Sequence, residues 1–412
     1  MLNTRRPATA LLLLFAAACG GHAPVSSAPQ PAVHQQVVLV SLDAFRWDYL
    51  NRPEARNLRR LASEGVHATR MIPAFPSLTF PNHYTIATGL YPEHTGIIDN
   101  TMHDSLLGWF HISDTAAVRN AAWWGGEPIW VTAVKQGERA GAFFWPGSEA
   151  PIEGVHATRW MKFNDRFPNA ARVDSVLTWL TLPGNQAMSL VTLYYSDVDH
   201  AGHSYGPDSP QVDSAIARVD TMIGKLMDGI AARGLSNRVN LIVVADHGMA
   251  SVSRDRLIYL DDYVPTTDFD VVDAAAIGLI TPKPGLFDTV YNRLHGANPH
   301  LQAYRKAEVP ARFHYNDNPR ITPLVLIADE GWLITTHARE SARPLTMHGD
   351  HGYDNLLPDM GALFVAEGPA FKRGITVQPF QNIHIYDLIC HILGLHPAPN
   401  DGSLDSTRAL LR

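Results

Sequence analysis

Apolar residues along this chain alternate between two spacings. Gln36 to Leu42 (QVVLVSL) is an unbroken apolar run rich in β-branched residues, the pattern of a strand buried on both faces of a parallel sheet. Ser189 to Tyr195 (SLVTLYY) and Val239 to Ala245 (VNLIVVA) repeat it, and Gly361 to Ala366 (GALFVA) predicts a fourth strand. Between these runs the spacing becomes helical. Asn57 to Gly65 (NLRRLASEG) predicts a helix closed by glycine. From Gln211 to Gly234, the residues Val212, Ile216, Val219, Ile223, Leu226, Met227 and Ile230 mark one apolar helical face. Ile383 to Leu395 predicts a last helix, with Ile385, Leu388, Ile389 and Ile392 facing inward. Strands alternating with helices imply an α/β layered fold with a central, mostly parallel sheet flanked by helices. The Pro-rich stretch 255–345 breaks the rhythm. Its short strand-like runs (VVDAAAIGLI, TPLVLIA, GWLITT) and single helical run (LFDTVYNRLHG) predict an inserted α+β subdomain that caps the site.

The first residues carry a different signal. Met1 to Ala18 has Arg5 and Arg6 ahead of a short apolar run, Ala10 to Ala18, which reads as a signal peptide for export. Spanning a bilayer takes about 20 apolar residues, so this run is too short. Two endings stay open: cleavage after the small residues, or lipidation of Cys19 as in bacterial lipoproteins. Residues 19–36 read as a flexible Pro/Ser/Gln tether. The folded body, 37–412, is then expected in the periplasm or anchored to the envelope of a bacterium. Cys390 sits in an apolar helical run and reads as an inert core residue.

Composition narrows the function classes. Hydrophobic residues make up 46% of the 412 positions and charged residues 18%, enough to bury a large core. With 33 Lys+Arg against 40 Asp+Glu, the net charge of −7 argues against stable nucleic-acid binding. The 2 cysteines exclude a disulfide scaffold or a cysteine-based zinc cluster. The 20 histidines instead direct attention to imidazole metal ligands.

Candidate ligands stand where buried strands end. In open α/β sheets, ligands bind beyond the carboxyl ends of the strands. Asp43 follows the first strand, Asp199 lies just past the second, and Asp246-His247 follows the third. Asp199 and His203 are one helical turn apart, whereas Asp197 and His203 are not. His351 lies in a Gly-flanked turn. These carboxylates and imidazoles suit zinc, and six ligands divide into two three-ligand sites with room for substrate. Singly, each residue reads better as a turn, cap or core residue; their shared position at the strand ends of one sheet favours metal. His200, His348 and Asp350 are neighbours with no assigned role. His83, His94 and His103 lack matching partners and read as structural or exposed. In Phe75 to Tyr84 (FPSLTFPNHY), Pro81 is expected at the first helical position, with Thr79 at or just before a helix N-terminus, where anions are favoured. Thr79 is there a candidate nucleophile, although Thr79 or Ser77 could equally cap the helix.

The motifs FPSLTFPNHYTIATGLYPEHTGIIDN, DVDHAGHSYGP, VVADHGM, HGYDN and IHIYDLICHILGLHPAPNDGS, in this order, resemble the nucleotide pyrophosphatase/phosphodiesterase family of the alkaline phosphatase superfamily. The resemblance covers residues 37–402. It implies two Zn²⁺, one on Asp43, Asp246 and His247 and the other on Asp199, His203 and His351. It implies that Thr79, its oxygen on the first zinc, is the nucleophile of a covalent phospho-threonine intermediate. Asn100 then donates to a non-bridging phosphoryl oxygen, and Phe80 and Tyr194 sandwich a nucleobase. The implied activity is hydrolysis of phosphodiester or pyrophosphate bonds, with a nucleoside 5′-monophosphate as product. Two features depart from the larger animal enzymes: Asp197-Val198 replaces an acidic-Pro pair, and cysteine-rich domains are absent. Alternatives with the same metals are a lysophospholipid or glycerophosphodiester phosphodiesterase and a phosphomonoesterase. An alternative of another class is a catalytically inactive, envelope-binding lipoprotein.

Overall fold

The structure, a computed structural model, describes residues 1–4, 34–342 and 344–412. The chain divides into two units, 1–33 and 34–412. Most of the expected signal peptide, Cys19 and nearly all of the tether lie outside the described residues.

Eight strands form the central sheet of the second unit: β1 (Gln36–Leu42), β2 (Val66–Ala68), β3 (Ala140–Phe143), β4 (Arg159–Trp160), β5 (Leu190–Tyr195), β6 (Val239–Val244), β7 (Phe364–Glu367) and β8 (Ile375–Val377). Their spatial order is β8-β2-β7-β6-β1-β5-β3-β4. β1 runs parallel to both β5 and β6, β5 to β3, and β3 to β4. β7 alone runs antiparallel to its neighbours β6 and β2. Every residue of β1 and β6 is buried, which is why their sequences are unbroken apolar runs rather than alternating ones. The fold is therefore the α/β layered architecture expected from the alternation of runs.

Register positions the site. Leu42 lies beside Tyr195 and Ser41 beside Val244, so β1, β5 and β6 end level with one another. Asp43, the turn entering Asp199, and Asp246-His247 consequently emerge at one edge. Ala44 takes a left-handed φ of 54°, turning the chain sharply after Asp43, and its amide donates to Asp246 Oδ1 at 3.1 Å.

Three helices matter for the site: α1 (Thr79–Thr88), α2 (Asp197–Tyr205) and α3 (Pro210–Ala232). In α1, Thr79 is the first helical residue, as expected, but Pro81 is the third rather than the first. Pro81 is still tolerated because the first turn's amides have no intrahelical acceptor. The predicted helix around Leu58 and Leu61 spans Arg56–Glu64 and does stop at Gly65, but not through a left-handed cap. Gly65 has φ −120°, and a Cβ there would sit 2.0 Å from the Ala366 carbonyl oxygen, so close packing on β7 is the reason for glycine.

Between 255 and 345 the chain builds a separate four-stranded antiparallel sheet, in the spatial order 269–274, 277–282, 324–328, 301–305. The run VVDAAAIGLI is thus a hairpin rather than one strand, and 301–305 is a strand that the hydrophobic pattern did not reveal. Ile280, Leu324, Leu326, Val290 and Leu294 form a second apolar cluster here. Among the described residues, no helix is long and apolar enough to cross a membrane.

Candidate active site

The sequence-predicted ligands converge. His247 Nε2 lies 3.0 Å from Asp246 Oδ2 and 3.6 Å from Asp43 Oδ1. His203 Nε2 lies 3.3 Å from Asp199 Oδ1 and 3.2 Å from His351 Nε2, which is itself 3.6 Å from Asp199 Oδ1. The two groups adjoin, since the rings of His247 and His351 stack at 3.6 Å.

The hydrogen bonds behind these side chains decide which atoms face the centre. Each imidazole commits Nδ1 to a backbone carbonyl: His203 to Gly349, His247 to Gly248 and His351 to Ser77, each at 2.9 Å. A ring that donates through Nδ1 presents Nε2 as a lone pair. Asp43 Oδ1, Asp199 Oδ1 and Asp246 Oδ2 are buried and have no hydrogen-bond partner. Acceptor atoms from six side chains therefore crowd together in a buried site, an arrangement that bound cations resolve. Electrostatics divide the cluster: against the lowering effect of burial, Asp199 draws the His203 imidazole up to about 10 and Asp246 draws that of His247 upward. Burial, and then the nearby charges of Asp246 and Asp199, push the Asp43 carboxyl well above its ordinary range. Burial, then His247 and His203, hold the His351 imidazole well below its own. The donor set suits cation binding: Asp43, Asp246 and His247 lie mutually within ligand range, as do Asp199, His247 and His351, and His203, Asp350 and His351.

Thr79 Oγ1 stands 3.2 Å from His247 Nε2, at the first residue of α1. Ser77 does not compete for a cap, because its hydroxyl donates to the Tyr353 carbonyl. The helix N-terminus offers fewer amides than expected. Pro81 has none, and the Phe80 amide donates to Asn100 Oδ1 at 3.0 Å. That bond orients Asn100, and its Nδ2 remains as a donor.

A cavity of about 510 Å³ opens over Asp43, Thr79 and Asp199. Phe80 and Tyr194 both line it, but they belong to different aromatic clusters. Phe80 packs on Phe110 and Trp124, with ring centroids 6.0 and 6.1 Å away. Tyr194 packs on His83 and Phe163, and its hydroxyl donates to Asp43 Oδ2 at 2.5 Å. Tyr194 thus also orients a candidate ligand.

Sequence reasoning missed four participants. His83, read as lacking partners, is fully buried: Nδ1 lies 3.2 Å from Asp246 Oδ2 and 2.8 Å from the Thr79 carbonyl, and Nε2 pairs with Ser41 Oγ. Its signal was the Thr79-x-x-x-His83 spacing, one helical turn. Phe163 and Lys162, exposed, line the cavity mouth in the run Trp160-Met-Lys-Phe163. Asp350 is buried beside His203, with Oδ1 3.9 Å from Nδ1 and Oδ2 unpartnered. Of the unassigned neighbours, His200 faces outward, and Asp197 is taken by Asn169 and Arg218.

This fold and site define a phosphodiesterase-type enzyme on a layered α/β scaffold. The chain belongs to the type I phosphodiesterase/nucleotide pyrophosphatase family, of the alkaline phosphatase superfamily; the family model matches residues 37–354. It is 41% identical over 397 residues to a venom phosphodiesterase of Naja atra, covering 94% of this chain and 48% of the relative. It is 38% identical to the bis(5′-adenosyl)-triphosphatase of Xenopus laevis, covering 95% and 84%. The chain therefore spans about half the length of the venom relative and most of the frog one. Among solved structures, murine ectonucleotide pyrophosphatase/phosphodiesterase 5, in an inactive form with AMP bound, superposes with a TM-score of 0.87. It is 37% identical, and the match covers 92% of this chain and all of the murine one.

Proposed function

We propose that this protein is a zinc-dependent phosphodiesterase that cleaves nucleotide phosphodiester or pyrophosphate bonds to release nucleoside 5′-monophosphates. The observation that carries the reading is Thr79 Oγ1, 3.2 Å from His247 Nε2, on the wall of a cavity that also reaches Asp43 and Asp199 of the six-ligand cluster. When bound to Asp43, Asp246 and His247 and to Asp199, His203 and His351, two zinc ions would neutralise phosphoryl charge and lower the pKa of a nearby hydroxyl.

The chain's own residues do the rest. Thr79 Oγ1 forms a bond to phosphorus as the bond to the leaving oxygen breaks, giving a phospho-threonine. Water then cleaves that ester, freeing the monophosphate and restoring the hydroxyl. Asn100 Nδ2 and the Thr79 amide hold non-bridging oxygens, a neutral pair of donors suited to a diester's single charge. His83, bonded to the Thr79 carbonyl and beside Asp246, keeps nucleophile and ligand in register. Phe80 and Tyr194 supply flat walls for a base, with Phe163 at the rim. Residues 255–345 act as a cap over this region. The N-terminal segment directs export from a bacterial cytoplasm, with Cys19 as the residue that would carry a lipid.

The test is product identification with a nucleotide diester, combined with Thr79→Ala. The wild type should release nucleoside 5′-monophosphate. Thr79→Ala should lower kcat at least about a thousandfold while both metals stay bound. Normal turnover by Thr79→Ala would remove the nucleophile assignment.

A further inference from the structure

The reaction cavity does not close at Asp165, Ser196 and His200. These residues also line a second, more open groove of about 590 Å³ on the outer side of α2. Helix geometry explains the junction. Asp199 and His203 lie one turn apart and face the ligand cluster. His200 and Ser204, each the next residue, are rotated by about 100° and line the groove. Ser196 and His200 thus stand with Asp199 on the wall of the reaction cavity and also open onto the groove.

The groove is built for a polar guest. Arg166 is exposed on its wall and has no carboxylate partner among the described residues. Tyr205 is 56% exposed, an unusual position for so large a ring. Arg218 is already held by Asp197 at 3.2 Å and forms part of the fixed wall.

We propose that this groove is a leaving-group subsite. It takes the far half of a two-ended diester, a nucleoside or sugar that carries a further phosphate. Arg166 pairs with the far phosphate, Tyr205 offers a flat face to the base or sugar, and Ser204 and His200 hydrogen-bond its hydroxyls. The inference rests on the phosphodiesterase reading above and extends it to the substrate's second half. An aryl ester has no far half to bind there.

The experiment compares KM for bis(5′-adenosyl) triphosphate and for the p-nitrophenyl ester of thymidine 5′-monophosphate. It uses the full-length, zinc-loaded wild type, Arg166→Ala and Ser204→Trp, the last filling the groove without removing a charge. Each substitution should raise KM for the two-ended substrate about fivefold more than for the aryl ester, the scale of one lost charge-assisted contact. Equal shifts on both substrates, or none on either, overturn the subsite. So does a wild type that cleaves the aryl ester but not the two-ended substrate. A wild type that cleaves neither removes the phosphodiesterase reading itself, which is a distinguishable failure.

Discussion

Tyr194 illustrates how one side chain serves two roles. Its ring forms cavity wall, while its hydroxyl occupies Asp43 Oδ2 and leaves Oδ1 to face His247. Tyr194→Phe keeps the wall and deletes the bond. Outer hydrogen bonds to metal ligands are worth about 10- to 100-fold in affinity. Titration with a competing chelator should therefore show Tyr194→Phe losing zinc at least about tenfold more readily. On the proposed two-zinc site, Asp199→Ala should lose one metal outright, as read by elemental analysis, because Asp199 is the carboxylate that both His203 and His351 approach. Retention of both would mean that the ligand division is wrong. Asp43, Asp199 and Asp246 were legible in the sequence because each follows a buried strand. His83 was not, because its main partner, Asp246, arrives from a distant strand.

The 255–345 segment is tied to the central body through Arg320. Its guanidinium donates to Asp104 Oδ2 at 2.9 Å and to the carbonyls of Gly96 and Trp123 at 2.7 Å each. The pair is largely buried, with 11% and 16% side-chain exposure, so losing one partner strands the other. Arg320→Ala should cost about 3 kcal/mol in urea unfolding. The pH dependence follows from Asp104. Its hydrogen bond with Arg320 holds the carboxyl below its ordinary value. A depressed carboxylate stabilises the fold above its unfolded pKa of about 3.9, and that share is lost as pH falls through the lower folded value. The stability gap between wild type and Asp104→Asn should thus be full at neutral pH and shrink below about pH 4. A gap that widens in acid would contradict this. Strand 301–305 and the splitting of the run 271–280 into a hairpin escaped the hydrophobic pattern because the strands 269–274 and 301–305 are only half-buried and the pairing is irregular, with a register shift between Val271 and Asp273. The central strands were plain because both of their faces are covered.

Across the molecule, three carboxylates with unpartnered buried oxygens meet at the end of one sheet. Such a site costs stability when its charges go uncompensated, so metal binding and folding should be linked. A hundredfold excess of metal over Kd contributes about 2.7 kcal/mol, and at about 2 °C per kcal/mol, chelation should lower Tm by roughly 5 °C and abolish turnover. Restoring zinc should reverse both effects; a Tm indifferent to chelator would count against a metal at this site. The order of residues alone determined the layered fold, the ends of its strands and the kinds of side chain waiting there, because these depend on local periodicity and short spacings. Tertiary structure decided which lone pairs face one another, that His83 backs Asp246, that Tyr194 holds Asp43, and that the cavity continues past α2. Those outcomes depend on strand register and side-chain direction between segments far apart in the chain, which no local pattern encodes.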